Sequence, residues 1–269
     1  VATRLDELIG RALSLLSGDE GGVSVANAGA TELEGVPALS IGRREQGAVG
    51  LRETSEGWEF SNGAVDVVVD RAGLIASIRD RRHGREVIPE GTRANVLQLF
   101  RDIPNNWEAW DIEYHYRRSL TELVEVDSIE PAETAAGLPA LRVRRSFGRS
   151  AVEQLLWLAP GDDPTVHVET SVDWHERQKL LKLAFPVDLQ AAIAASETQF
   201  GHVSRNTHDN TSWDAAQFET VAHRWVRVEE PGYGVALSND ATYGHDITRI
   251  RAGGRSATQL RVSLLRAPL

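Results

Sequence analysis

Hydrophobic and polar positions along the 269-residue chain follow two different periods. Near the N-terminus, Leu5, Leu8, Ile9, Ala12, Leu13 and Leu16 recur at helical spacing. That spacing predicts an amphipathic helix over residues 3–16 with one broad apolar face. Thr3 with Asp6 has the form of a capping box, and Gly18 suits the position just past a helix end. A face this wide needs a cover, so the helix is expected to pack on the rest of the chain or on a second copy. Residues 19–56 are rich in Gly, Ala, Glu and Ser and read as a linker with a short strand or two.

From Trp58 onward the period becomes two. Val65, Val67 and Val69 alternate with Asp66 and Asp70, and a turn at Arg71-Ala72-Gly73 leads into 74–78. Further strand-like runs lie at 96–100, 141–143, 152–158, 166–174, 181–187, 218–228, 233–237 and 259–265. About a dozen strands punctuated by Gly, Pro and Asp turns predict an antiparallel sandwich. No alternation of strands with helices is present, which argues against a parallel α/β fold. The count exceeds an immunoglobulin-sized sandwich, so the expectation for residues 57–269 is a large β-supersandwich of the galactose-mutarotase kind.

Composition narrows the chemistry. A net charge of −10 lacks the basic field that phosphate backbones require, so nucleic acid is not an expected partner. No apolar run approaches membrane-span length, and the first residues lack signal-peptide architecture. Cysteine is absent, which removes thiol chemistry and disulfides and suits a cytoplasmic setting. Methionine is absent, the chain begins at Val1, and the only lysines are Lys179 and Lys182. The expectation is a piece of a longer polypeptide from an Arg-rich, bacterial-type sequence.

Three segments concentrate reactive side chains. Residues 102–116 hold Trp107, Trp110, Tyr114, Tyr116 and His115 among four carboxylates, Asp102, Glu108, Asp111 and Glu113. Aromatic faces beside hydrogen-bond acceptors suit a pyranose ring, and the competing role is anchoring of the loop on the core. Paired carboxyls such as Glu108 and Asp111, or Asp111 and Glu113, have the makings of a glycosidase pair, though acidic pairs are common in so acidic a chain. Residues 199–214 bring His202, His208, Asp209 and Asp214 together without a spacing that has a local ligand geometry, so hydrogen bonding in a polar loop is favoured over a metal. Residues 239–246 read as a turn presenting Tyr243 and His245. No phosphate-binding Gly loop and no nucleophile elbow occurs.

Four strings then resemble a known family: ANVLQLFRDIPNNWEAWDIEYHY (94–116), DWHERQKLLKLAFPVDL (173–189), TQFGHVSRNTHDNTSWDAAQFETVAHRWV (198–226) and EPGYGVALSNDATYGHDI (230–247). Residues 57–269 are similar to the C-terminal region of glycoside hydrolase family 38 α-mannosidases of the cytosolic and bacterial type. The resemblance implies a zinc-dependent retaining hydrolase of α-mannosidic bonds whose nucleophile and zinc ligands lie in N-terminal domains that this chain lacks. It therefore places no catalytic residue, metal ligand or cofactor here. It implies that residues 1–18 end a helical bundle, that the chain is cut short at both ends, and that its partners are its own catalytic domain and α-mannosides. The implied substrate-pocket rim is Trp107, Trp110, Asp111, Tyr243 and His245. A stand-alone carbohydrate-binding module and a mutarotase-like epimerase remain as alternatives, and a homo-oligomer stays open.

Overall fold

The computed structural model describes residues 2–17, 23–30, 36–44 and 48–267. Helix α1 spans Ala2–Ser17, so Thr3 falls inside it rather than capping it. Its apolar face is bare: Leu5, Leu8, Ile9, Leu13 and Leu16 are 40% to 68% exposed. The expected packing of this face on the β domain is therefore not formed. Periodicity identifies an apolar face but not its cover, and the sheets below use their inner faces on one another.

The strands, in chain order, are β1 (Val23–Asn27), β2 (Ser40–Arg44), β3 (Gly50–Glu53), β4 (Gly57–Ser61), β5 (Val65–Asp70), β6 (Ile75–Asp80), β7 (Arg85–Glu86), β8 (Val96–Arg101), β9 (Thr121–Glu122), β10 (Ser128–Glu133) and β11 (Pro139–Phe147). They continue as β12 (Ser150–Leu158), β13 (Val166–Asp173), β14 (Lys179–Val187), β15 (Ile193–Thr198), β16 (Gly201–Asn206), β17 (Thr220–Val221), β18 (Trp225–Glu230), β19 (Tyr233–Ser238), β20 (Gly244–Ala252) and β21 (Arg255–Ala267). A five-residue helix α2 (Ser212–Ala216) lies between β16 and β17.

Every strand pairing is antiparallel. β1 and β2 form a separate hairpin, and β3 to β7 form a five-stranded sheet in sequence order. β10 to β13 form a meander, β16-β15-β18-β19 a second four-stranded sheet, and β17-β20-β21-β14-β8-β9 a six-stranded sheet. The period-two code is visible in β5, where Val65, Val67 and Val69 are buried, and in β12, where Val152, Leu156 and Leu158 are. Between β5 and β6, Gly73 takes a left-handed φ of 69°. There the Asp70 carboxylate accepts from the amides of Ala72 and Leu74, as a turn of this kind requires.

One core joins four sheets. Trp58, Phe60 and Val67 come from the five-stranded sheet, Leu141 and Leu156 from the meander, Val226 and Val228 from the second four-stranded sheet, and Leu260 from the six-stranded one. The six-stranded sheet is covered on both faces. Leu97, Leu181 and Leu183 meet Val152 of the meander on one face. Phe100 and Leu180 meet Tyr116 on the other. β14 is consequently apolar almost throughout, the signature of a strand buried on both faces.

Candidate functional site

The second face of the six-stranded sheet carries charge where an apolar layer would be expected. Strand register puts Lys182 of β14 opposite Ser263 and Gln98, and Asp246 of β20 opposite Arg261. The side chains at these positions share one face. Lys182 is fully buried, and its ammonium donates to Asp246, to Glu219 and, at 3.3 Å, to the Tyr116 hydroxyl. Arg261 grips Asp246 through Nε and Nη2 at 3.0 and 2.6 Å, and Arg117 approaches the same carboxylate at 3.4 Å. Tyr116 donates to Glu219, and Arg117 donates to the Phe218 carbonyl. Tyr116 and Arg117 belong to a 3-10 segment, Tyr114–Ser119, which the network fastens onto the sheet together with Phe218 and Glu219.

Three cations thus meet two carboxylates in a dry layer. Burial alone would neutralise Lys182, but the fields of Asp246 and Glu219 outweigh it and hold the ammonium above its ordinary pKa. Burial would likewise raise Asp246, and the fields of Lys182, Arg261 and Arg117 pull it down instead. Desolvation pushes the Tyr116 phenol up to about 12, so it stays a neutral donor.

The implied rim residues divide. Trp107 and Trp110 are 76% and 94% exposed, so neither anchors its loop on the core. Trp107 holds a left-handed φ of 61°, and the Trp110 amide donates to its carbonyl at 2.6 Å to close a 3-10 turn, Glu108–Trp110. Asp111 is exposed and accepts from the next amide at 2.8 Å. The side chain of Glu108 lies outside the described residues. Tyr243 is 64% exposed, with its ring 5.3 Å from that of His223.

His245 requires correction. It is 3% exposed and sits inside β20, not in the turn before it. Its Nε2 lies 3.1 Å from the Ser196 hydroxyl and 3.0 Å from that of Thr220. Because side chains alternate along a strand, His245 points to the face opposite Asp246, into the contact with β15. Desolvation lowers its pKa to about 4.

The two loops leave the same end of the sheet. β8 ends at Arg101, opposite Lys179 and, beyond it, Ala267, while β20 begins at Gly244, beside Ser263. The strand order places them three spacings apart across the sheet, about 14 Å, with their ends staggered by four residues along it. The rings of Tyr114 and Phe218 meet edge to face at 5.3 Å. Trp213 of α2 adds another bare ring in the same stretch of chain as Phe218.

Residues 199–214 hold a strand that the polar reading did not anticipate. β16 carries His202, whose ring lies 6.2 Å from Trp225. His208 is 3.5 Å from Asp214, which itself accepts from the Asn206 amide group. Among the described residues, no three His, Asp or Glu side chains gather in a metal-binding arrangement.

Sequence reading overlooked the whole buried network and the Asp102–Arg266 pair beside it. One signal was present: Lys182 stands within the run Leu180 to Val187, whose apolar residues occupy both faces of the strand. A buried lysine demands a carboxylate, though its identity is not local information.

Residues 60–269 match the model of the glycosyl hydrolases family 38 C-terminal domain. The chain is similar to alpha-mannosidase 2C1 of Homo sapiens, 38% identical over 221 residues that make up 81% of this chain and 20% of that protein. It is also similar to alpha-mannosidase G of Dictyostelium discoideum, 33% identical over 78% of this chain and 19% of that one. The chain thus spans about one fifth of the length of these relatives. In fold it is similar to the crystal structure of an alpha-mannosidase from Enterococcus faecalis V583, with a TM-score of 0.65, 13% identity, and coverage of 87% of this chain and 29% of that one.

Proposed function

The chain belongs to the glycosyl hydrolase family 38 C-terminal domain family, and from that premise we propose that it is the non-catalytic β domain of an α-mannosidase. In this reading the sheet end bearing Trp107, Trp110, Asp111 and Tyr243 packs toward the catalytic domain and borders its sugar pocket. Zinc and nucleophile belong to that other part of the enzyme, and no step of the hydrolysis runs through residues of this chain. The observation that carries the reading is the exposure of two tryptophans and a tyrosine on the loops at one end of the six-stranded sheet. Aromatic rings left in water serve recognition better than folding, and a pyranose offers the C–H face they stack on.

The test uses the full-length enzyme and an aryl α-mannoside. Trp110→Ala and Tyr243→Phe should lower kcat/KM by roughly 10-fold or more while the melting temperature holds, as expected when a substrate contact is lost and no core contact is. The chain of residues 1–269 by itself should not hydrolyse the same substrate with zinc added. Zinc-dependent turnover proportional to its concentration would refute the non-catalytic assignment. Tight mannoside binding by the isolated chain would favour a carbohydrate-binding module instead.

A further inference from the structure

We propose that Arg266 is a positioning residue for the aromatic loop. Its guanidinium, seated on the buried carboxylate of Asp102, holds residues 102–111 in the conformation that presents Trp107 and Trp110. The proposal rests on the reading that this loop borders the sugar pocket.

Asp102 is the first residue after β8, and its side chain is 1% exposed. Arg266, near the end of β21, reaches it as a fork, Nε to Oδ2 at 2.5 Å and Nη2 to Oδ1 at 3.2 Å. The same guanidinium donates to the carbonyl of Ala109 at 3.3 Å and to that of Asp111. One cation therefore ties down the base of the loop and both residues flanking Trp110. A second tie runs from the Asn105 amide to Glu113 at 3.1 Å.

The loop has reason to need such ties. Trp110 makes almost no burial that could order it, and Trp107 sits in the left-handed region, which a bulky side chain occupies at a cost. Left to itself a loop with two solvated tryptophans, one of them strained, would sample other conformations. A planar fork that satisfies a buried carboxylate and two carbonyls together removes that freedom before any partner arrives. Lysine, a point charge without the fork, cannot make the same set of bonds.

The experiment compares Arg266→Lys and the double variant Asp102→Asn/Arg266→Met in the full-length enzyme. The double variant removes the fork without stranding a buried carboxylate, so it guards against simple misfolding. Two quantities are read: amide hydrogen exchange of residues 103–112, and kcat and KM with an aryl α-mannoside. Both variants should speed exchange in that loop while β14 and β21 stay protected, and both should lower kcat/KM by roughly 10- to 100-fold, the scale of an ångström of misplacement. Unchanged loop exchange would overturn the proposal, as would a kinetic loss accompanied by faster exchange across the whole sheet. Trp110→Ala separates the two levels of inference. If Trp110→Ala impairs kinetics and the Arg266 variants do not, positioning by Arg266 is refuted and the pocket-rim reading stands. If neither impairs kinetics, the pocket-rim reading falls and this proposal falls with it.

Discussion

Replacing single members of the buried network should produce costs ordered by charge balance, not by the number of hydrogen bonds lost. Lys182 makes three contacts, to Asp246, Glu219 and Tyr116, and is the most deeply buried ion of the group. Counting bonds alone would make Lys182→Met the worst substitution. Charge accounting says otherwise. With Lys182 present, three cations face two carboxylates; without it, Arg117 and Arg261 still neutralise Asp246, and Glu219 still accepts from Tyr116. Glu219 loses its ion pair but keeps the Tyr116 hydroxyl and partial contact with water, the methionine fills the lysine stem's volume, and the cost of desolvating the ammonium is recovered. A loss of about 1 to 2 kcal/mol is expected. Asp246→Asn removes the anion that Lys182, Arg261 and Arg117 all address, leaving three buried or half-buried cations with one carboxylate. Removing one partner of a buried ion pair costs about 3 to 5 kcal/mol, and here three cations share the loss. Urea unfolding followed by circular dichroism gives both values as shifts in midpoint at constant slope. Equal costs, or a larger cost for Lys182→Met, would refute the reasoning and show that direct bonds to Lys182 outweigh the balance of charge.

Two further outcomes follow from burial. His245 has its pKa lowered to about 4 against an ordinary 6.5, so the unfolded chain takes up its proton first as pH falls. The contribution, about 3 kcal/mol, is complete above pH 6.5 and drains away toward pH 4. His245→Gln should flatten the stability curve between pH 7 and 5, and an unchanged slope there would contradict the account. Because the apolar residues of α1 are exposed, a chain lacking residues 1–17 should have the same unfolding free energy in urea to within about 0.5 kcal/mol; a larger drop would mean that the helix is covered by the sheets in solution.

The sequence by itself determined the elements and their inner faces. Helix α1 was legible from Leu5 to Leu16, and strands such as β5 and β12 from strict alternation, because periods of 3.6 and 2 are imposed by each element's own backbone. The aromatic loop at 102–116 stood out by composition, and the family resemblance lay in continuous strings. Boundaries were less secure: the run 218–228 divides into β17 and β18, and β16 lay hidden in a polar segment because its side chains are mostly exposed and carry no alternation. What only the tertiary structure decided was anything that joins distant residues. His245 looked like a turn residue beside Tyr243, yet β20 begins at Gly244, so His245 lies within the strand and is buried against a neighbouring sheet while Tyr243, just before the strand, stays in water. Lys182 and Asp246 are 64 positions apart, and Asp102 and Arg266 are 164 apart. Each pair meets because β20 and β14 flank β21 and β8 lies just beyond β14 in one sheet. Strand order is a global choice among sheets that each satisfy the same local pattern, so the partners of a buried charge become known only when the sheet is assembled.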